Sequence, residues 1–468
     1  MTYPIDDLIA ALGGIATETH PRRVQMKSRD FYWYSPILKA EMEHLTADLL
    51  VTPKTEAEVR TVLSECCKRQ IPVTPRGSGT GNYGQAMPLS GGVLLDLSAM
   101  KAIKSIADGR AVVEPGVILW ELEKAAREQG RELRMFPSTV ETASVGGFIA
   151  GGSAGVGSIR WGGLKDLGNI LRLRVATMAE EPELIDLTGP DVLLAHHAYG
   201  TTGIITEIEL PLPPANEWID VLVAFDDFEA ALRCGEELGL ADGILKRELG
   251  AIQAPVPHRY FKRHQKFLQP QDSVLILMVA PESMGPMLHV VAKHGGEVRY
   301  RTDTASEEEA KGVPLIFSLG WNHTTLRALR VDPEMTYLQV GYPGLDPVAR
   351  IMRMVEIFGE EVPVHVEFTR GGGEMYLSGL PLVRFSTPER LAEIMAIHEA
   401  EGCPNYSPHV STIEEGGGGY INPDQVAFKR RVDPQGLLNP GKMIAWEEPD
   451  FDLKSGARYR YKHMREAS

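Results

Sequence analysis

The sequence lacks the features that mark several large protein classes. Its four cysteines, Cys66, Cys67, Cys234 and Cys403, form no CxxC pair, which argues against an iron–sulfur cluster or a zinc site. No apolar run approaches the roughly 18 residues of a membrane span. The N-terminus has neither the basic region nor the apolar core of a signal peptide. We therefore expect a cytoplasmic protein without a transmembrane segment.

Positive charge is also scarce. The chain has 48 Lys and Arg against 63 Asp and Glu, a net charge of −15. Because affinity for nucleic acids depends mostly on Lys and Arg that neutralise phosphates, this balance argues against nucleic-acid binding. The signature GxxxxGK[ST] is missing, which disfavours a nucleotide triphosphatase. A length of 468 residues exceeds one ordinary core and predicts two domains.

Strand and helix patterns alternate along the chain. LLVTP, IPVTP and GGVLLDLS, within residues 49–98, predict three short buried strands. Between the first two, Thr55 and Glu58 match a capping box, which predicts the start of a helix. Prolines at 211–214 indicate a domain boundary, after which a longer alternation predicts a second, α+β domain with an antiparallel sheet.

A glycine-rich loop, RGSGTGN at residues 76–82, follows the second predicted strand. Gly79, Gly81 and Gly84 formally match the dinucleotide signature GxGxxG. That signature requires a helix to open directly on the motif, whereas QAMPLSGG follows here and a new strand begins. We therefore reject a nicotinamide-binding Rossmann fold. The loop still presents successive backbone N–H groups that suit an anion.

A second segment, PSTVETASVGGFIAGGSAGVGSIRWGG at residues 137–163, is crowded with Gly, Ala and Ser. Val, Phe, Ile and Trp interrupt it at short intervals, which is unusual for a flexible linker. The pattern indicates backbone packed closely against a flat or anionic group, where side chains would collide.

Taken in order, these segments resemble the FAD-binding domain of the vanillyl-alcohol-oxidase/p-cresol-methylhydroxylase (PCMH-type) superfamily. The similarity is nearest to its glycolate oxidase and D-lactate dehydrogenase branch, and it includes YGTTGIITEIELPLPP and RRVDPQGLLNPGKM. The resemblance implies an α+β fold in which a PCMH-type domain of two α/β subdomains carries a cap domain with an antiparallel sheet. We expect the FAD domain at 1–215, the substrate-binding cap at 216–420, and a C-terminal return with a basic tail at 421–468.

The resemblance also implies cofactor-binding positions. The first loop would hold the FAD pyrophosphate, the second segment would line the flavin and its ribityl chain, and two isoleucines would contact the adenine end. Two C-terminal residues would close over the isoalloxazine. In chain order these positions are Arg76, Gly77, Ser78, Gly79, Thr80, Gly81, Asn82, Pro137, Ser138, Thr142, Gly146, Gly147, Gly151, Gly152, Ser153, Gly155, Ile204, Ile205, Asn439 and Lys442.

The resemblance further implies how the cofactor is attached. Some family members link FAD covalently through a histidine in the phosphate loop. Thr80 stands at the matching position here, so we expect non-covalent FAD.

The chain departs from its branch at the metal site. Many members carry HGDGN-type and EHG segments that hold a metal and a catalytic histidine. The matching places here keep His365 in the first and have Glu415 in the second, so we expect no metal of that type. The candidate catalytic residues are His365 or His409 as the base, Glu414 at the family glutamate position, and Tyr406.

These features predict an FAD-linked oxidase or dehydrogenase of a small alcohol or 2-hydroxyacid, with hydride transfer to flavin N5. Two alternatives stay open: an oxidase or hydroxylase of a phenolic or other alcohol, and a non-catalytic flavin-binding subunit of a larger oxidase complex. The electron acceptor is dioxygen, a quinone or a carrier protein. Whether the protein forms a homo-oligomer or binds a partner subunit stays open as well. The basic tail LKSGARYRYKHMREAS is either solvated, packed on the acidic protein or in contact with a partner.

Overall fold

The computed structural model describes residues 3–416 and 421–451, so the basic tail lies outside the described residues. A four-stranded sheet comes first, with the strands β1 (Ala16–Glu18), β2 (Leu49–Thr52), β3 (Val73–Arg76) and β4 (Val93–Asp96) in the order β1-β2-β4-β3. β2, β4 and β3 are parallel and β1 is an antiparallel edge. The helices of this region are α1 (Ile5–Leu12), α2 (Pro21–Lys27), α3 (Pro36–Met42) and α4 (Glu56–Lys68).

The predicted helix start at Thr55 is confirmed, with one difference. Thr55 Oγ1 accepts a hydrogen bond from Glu58 N at 3.1 Å, as a capping residue does. The Glu58 carboxylate, however, accepts from Lys54 N at 2.6 Å rather than from Thr55. The apolar stripe that follows on α4 is buried against one face of the sheet, as expected for a helix that connects the parallel strands β2 and β3.

A five-stranded antiparallel sheet follows, in the order β5-β6-β9-β7-β8. Its strands are β5 (Ile103–Ala107), β6 (Arg110–Val113), β7 (Arg172–Ala176), β8 (Leu184–Thr188) and β9 (Ile204–Pro211), and its helices are α5 (Leu119–Arg127), α6 (Val145–Gly151) and α7 (Ser158–Trp161). α6 lies in the glycine-rich segment, where the sequence predicted close packing but no helix. Ser144 begins it by accepting from Gly147 N at 3.3 Å.

The cap is built on a seven-stranded antiparallel sheet in the order β13-β10-β12-β11-β16-β17-β15, beside a separate β14-β18 pair. The strands are β10 (Ile219–Phe225), β11 (Lys246–Ile252), β12 (Ser273–Val279), β13 (Glu297–Arg301), β14 (Met335–Tyr337), β15 (Val340–Gly341), β16 (His365–Gly371), β17 (Glu374–Gly379) and β18 (Leu382–Arg384). The helices are α8 (Phe228–Leu240), α9 (Val256–Tyr260), α10 (Met284–Lys293), α11 (Glu307–Ala310), α12 (Asn322–Val331), α13 (Pro347–Phe358) and α14 (Pro388–Ala400).

The two faces of the cap sheet have different partners, as the alternation of side chains along a strand requires. Leu275 and Leu277 of β12 pack with the core under helices α8, α10 and α13. Val274 and Ile276 of the same strand belong to the core that includes the five-stranded sheet. The cap therefore carries its own helical layer and turns its other face to the first half of the chain.

The C-terminal segment returns to the first half of the chain with α15 (Pro423–Val432) and α16 (Ile444–Glu447). Beside β3, Val73 N donates to Leu437 O at 2.8 Å and Asn439 N donates to Val73 O at 2.9 Å. Within residues 3–416 and 421–451, no helix is both long and apolar enough to cross a membrane.

Candidate active site

A cavity of about 610 Å³ lies between the glycine-rich loops and the cap. That volume falls within the usual range for small-molecule and cofactor pockets. All of residues 76–82 line it, as do Gly146, Gly147 and Ile205 from the five-stranded region and Trp321 and Tyr376 from the cap. One cavity thus joins the predicted phosphate loop to the cap sheet.

The phosphate loop is held open by polar contacts of its own. The Arg76 guanidinium donates to Arg29 O and to Ser78 O, and burial lowers its pKa. Ser78 N donates to Ser144 Oγ at 3.4 Å, which ties the loop to the start of α6. Arg76 therefore braces the loop from within, and the backbone of the loop faces the cavity.

The glycines around the cavity have no room for a side chain. A Cβ on Gly77 would lie 2.2 Å from Ser144 Oγ, and a Cβ on Gly146 would lie 2.6 Å from Pro115 Cβ. Gly200 is as tight, since its Cβ would lie 2.2 Å from Pro75 Cγ. Bare backbone at these positions lets neighbouring segments pack closely around the cavity.

The structure brings most of the predicted cofactor residues together. The loop residues Arg76, Gly77, Ser78, Gly79, Thr80, Gly81 and Asn82 line the cavity with Pro137, Ser138, Gly146, Gly147, Gly151, Gly152, Ser153, Ile204 and Ile205. Thr142, Gly155, Asn439 and Lys442 do not line it.

Two of those four residues support the loop from behind. Asn439 Nδ2 donates to Gln85 O at 2.8 Å and to Tyr199 O at 2.7 Å. Lys442 Nζ donates to Gly84 O at 2.6 Å, and burial lowers its pKa to about 7. Asn439 and Lys442 therefore fix the backbone around the cavity, while Asn422 and Gln425 of the same C-terminal return line the cavity itself.

Comparisons with known proteins agree on the cofactor. The family "FAD binding domain" matches residues 47–181. The chain is 27% identical over 435 residues to the glycolate oxidase subunit GlcD of Escherichia coli K12, covering 85% of this chain and 83% of that protein. It is 30% identical over 201 residues to D-lactate dehydrogenase of Archaeoglobus fulgidus, 41% of this chain and 44% of that protein.

Solved structures show the same fold across almost the whole chain. Alkyldihydroxyacetonephosphate synthase superposes with a TM-score of 0.70 at 16% identity, covering 94% of this chain and 85% of that one. The 4-ethylphenol oxidase of Gulosibacter chungangensis superposes with a TM-score of 0.67 at 18% identity, covering 94% and 96%. The chain is an FAD-dependent oxidoreductase that contains this FAD-binding domain and has the fold of these enzymes. The predicted resemblance, the α+β fold class and the FAD cofactor are confirmed.

Three of the four predicted catalytic residues of this oxidoreductase are buried away from the cavity. His365 Nε2 lies 2.8 Å from Glu367 Oε1 inside the cap. His409 has both ring nitrogens in hydrogen bonds, to Ser35 Oγ at 2.8 Å and Tyr337 O at 2.9 Å. The Glu414 carboxylate accepts from the backbone N–H groups of residues 444 and 445, at 3.0 and 2.9 Å. These positions do not line the cavity, because tertiary packing gave each side chain a local partner.

Tyr406 does line the cavity, and so do residues that the sequence did not single out. The added cavity-lining side chains are His196, His197, Trp321, Asn322, Gln339, Tyr376 and Ser378. The segment HHAY offered a signal, since adjacent histidines precede the recognised GTTGIIT. Nothing local marked Trp321 or Asn322.

His196 and His197 sit on an unusual stretch of backbone. His197 and Tyr199 have φ of 50° and 52°, in the left-handed region. His197 N donates to Ile149 O at 3.0 Å and Tyr199 N donates to Ala150 O at 2.9 Å, so the end of α6 holds this stretch in place. Burial lowers the pKa of His196 to about 3, which keeps its ring neutral at physiological pH.

The described part of the chain contains no cluster of three or more His, Cys, Asp or Glu side chains that suits a metal ion. Among the residues that the structure describes, the cations on the cavity wall are Arg76 and Lys165. Lys165 is exposed, and its charge lowers the pKa of His196 further. The cavity thus has a fixed cation within the phosphate loop and a solvent-accessible one near the histidines.

Proposed function

We propose that this enzyme oxidises a small 2-hydroxyacid or alcohol, with FAD bound non-covalently in the cavity. The observation that carries the proposal is one cavity that runs from the bare-backbone phosphate loop to a polar wall on the cap. The glycolate oxidase and D-lactate dehydrogenase relatives favour the 2-hydroxyacid. When bound, FAD supplies a hydride acceptor at flavin N5.

The cofactor-holding residues in this proposal are the predicted ones that line the cavity. Backbone N–H groups of residues 77–82 would bind the pyrophosphate, with Arg76 adding positive charge. Ile204 and Ile205 would pack on the adenine end. Thr80 offers no ring nitrogen for a covalent link to the flavin.

For the chemistry, we assign substrate contact to Tyr406 and proton uptake to His196. His196 Nε2 is buried and has no hydrogen-bond partner among the residues that the structure describes. A neutral imidazole with an unused nitrogen can accept the hydroxyl proton of a substrate as its C–H bond breaks, once the negative charge of bound ligands raises its pKa from about 3. Lys165 would attract a substrate carboxylate to the cavity mouth.

A second candidate substrate class is a neutral or phenolic alcohol. The cap wall offers the hydroxyls of Tyr376, Ser378 and Tyr406. Of the described residues that line the cavity, the only arginine is Arg76, at the phosphate loop. An arginine fork is the usual partner of a buried carboxylate, so its absence from the described cap wall favours a neutral substrate group there.

The test is anaerobic reduction of the bound flavin by glycolate, D-lactate, L-lactate, a simple primary alcohol and a 4-alkylphenol, followed as bleaching of the visible flavin band. We expect a 2-hydroxyacid to bleach it. His196→Gln should slow bleaching by about 10² while FAD stays bound. Bleaching by the alcohols alone would select the second candidate. Bleaching by none of them, with FAD bound, would contradict the proposal and favour a non-catalytic subunit. We place the protein in the cytoplasm. The electron acceptor is identified by adding dioxygen, a quinone or a carrier protein to the reduced enzyme and following the return of the visible flavin band.

A further inference from the structure

The turn before α12 holds a strained tryptophan on the cavity wall. Trp321 has φ 51° and ψ −143°, a backbone conformation that glycine adopts and bulky residues avoid. Its side chain nevertheless lines the cavity. Such strain persists only where the surroundings impose it, and it concentrates at ligand-binding positions.

A buried carboxylate imposes the conformation. Trp321 N donates to Glu367 Oε1 at 2.6 Å, and His365 Nε2 lies 2.8 Å from the same oxygen. The preceding residue, Gly320, packs directly on two carboxyl groups. A Cβ there would lie 2.8 Å from Glu367 Oε1 and 2.9 Å from Glu248 Oε1. The turn therefore lies on a pair of glutamates from β11 and β16.

The two glutamates are held protonated at neutral pH. Both are buried, at 2% and 1% exposure for Glu248 and Glu367, and an oxygen of each lies against Gly320. Neighbouring Arg247 forms its ion pairs with Glu123 and Glu132 instead. Two carboxylates in contact without a paired cation cannot both ionise. Burial accordingly raises the pKa of Glu367 to about 8 and that of Glu248 well above its usual value.

The turn presents Asn322 to the cavity. Asn322 is the first residue of α12 and lines the cavity, and its Oδ1 is buried without a hydrogen-bond partner in the described part of the chain. Tyr376, Ser378 and Tyr406 line the same cap side. An unused amide oxygen beside hydroxyl groups is suited to a ligand that donates a hydrogen bond.

We propose that Trp321 and Asn322 form the substrate-recognition wall of this enzyme, with the Asn322 amide oxygen accepting a hydrogen bond from the substrate hydroxyl before that proton passes to His196, and with the Glu248–Glu367 pair positioning the turn. The inference rests on the proposed function, because the ligand is the hydroxylated substrate of that reaction. Asn322 is then a substrate-binding residue, and Glu367 is a positioning residue that acts through Trp321.

The pair also makes substrate affinity depend on pH. Besides its own two carboxyl groups, the pair faces the ring of His365 on β16, the backbone N–H and the side chain of Trp321 from the turn, and the charge of Arg247 beside Glu248. Burial lowers the pKa of His365 to about 3, so its ring is neutral and offers the pair no positive charge. Ionisation of Glu367 as the pH rises through about 8 puts a negative charge under the turn and weakens substrate binding.

The experiment measures anaerobic flavin reduction. The substrate is the compound, among those tested for the proposed function, that reduces the wild-type flavin fastest. The apparent substrate Kd, the limiting rate and the FAD Kd are recorded between pH 6 and pH 9.5. Asn322→Ala should raise the substrate Kd by about tenfold and leave the FAD Kd unchanged. Glu367→Ala should raise the substrate Kd similarly. Exposed Leu345→Ala is the control and should behave as wild type.

Glu367→Gln separates positioning from folding. The amide keeps an oxygen for Trp321 N and does not ionise, so the substrate Kd should match wild type at pH 6 and lose its alkaline rise. An unchanged substrate Kd in Asn322→Ala, or an alkaline rise retained in Glu367→Gln, would overturn the inference while wild-type bleaching leaves the proposed function intact. No bleaching of the wild type by any compound would overturn the proposed function and the inference with it.

Discussion

Replacing Arg247 by methionine should loosen the cap from the FAD-binding half of the enzyme. Arg247 lies on β11 of the cap, and its side chain is only 3% exposed. It reaches Glu123 Oε1 at 3.1 Å and Glu132 Oε2 at 3.4 Å, and it donates to Leu133 O at 2.8 Å. Both glutamates are at most 2% exposed, so the variant leaves two buried carboxylates and one carbonyl short of a donor.

The expected loss of stability is about 3 kcal/mol. Breaking a buried ion pair by removing one partner typically costs about 3–5 kcal/mol. The lower value applies here because Arg127 still contacts Glu123 Oε1 and Glu132 Oε2, each at 2.9 Å. Arg127 is itself 38% exposed, so solvent screens it and Arg127→Met should cost only about 1 kcal/mol.

The assay is urea unfolding of the FAD-loaded protein, followed by tryptophan fluorescence and by release of FAD. Trp218 reports on the cluster, because its Nε1 donates to Glu132 Oε2 at 2.9 Å. Arg127→Met is the matched control. An Arg247→Met variant within about 0.5 kcal/mol of wild type, or one less damaging than Arg127→Met, would refute the idea that this buried cluster joins the two halves.

Three further predictions concern the cofactor and the carboxyl pair. Gly146→Ala should raise the FAD Kd at least about tenfold in a fluorescence titration, because the added Cβ meets Pro115. Gly285→Ala is the control, since a Cβ there meets nothing within 4 Å, and it should leave the FAD Kd unchanged. Equal Kd values for the two variants would contradict the idea that close backbone packing at Gly146 shapes the FAD site. Folding raises the pKa of Glu367 from 4.5 to about 8, so the native protein keeps a proton that the unfolded chain loses between these pH values. The stabilisation that results from this pKa difference is fully present in acid and declines as the pH rises from 4.5 to 8. Glu367→Gln should flatten that decline in urea titrations, and an unchanged slope would count against a protonated Glu367 in the folded protein. Because Thr80 replaces the linking histidine, acid precipitation should release all FAD to the supernatant; FAD retained in the pellet would mean a covalent link.

The FAD-binding half could be predicted from the sequence because its function depends on backbone. A phosphate loop of bare N–H groups needs glycines at short spacing, and the sequence itself displays them at Gly77, Gly79 and Gly81. The QAMPLSGG that follows excluded a Rossmann helix for an equally local reason. The sequence did not predict the α6 helix, because glycine disfavours helices. The glycine at position 146 is explained only by the tertiary structure, where it packs directly on Pro115.

The proposed substrate-binding wall on the cap could not be predicted, since its side chains meet through long-range packing. His365 has the right chemistry, but the cap folds it against Glu367 and away from the cavity. Trp321 and Asn322 carry no local signature; their position depends on a carboxyl pair drawn from β11 and β16. Sequence patterns report periodicity and spacing, and neither reveals which strand will face which turn.

The central claim is that one cavity holds FAD on the glycine-rich loops and presents substrate to it from the cap. The measurement that tests this most directly is an experimental structure of the FAD-loaded enzyme. We predict the pyrophosphate against residues 77–82 and the isoalloxazine facing the wall that contains Trp321, Asn322 and Tyr406. A pyrophosphate bound elsewhere, or an isoalloxazine that the cap wall does not face, would contradict the claim.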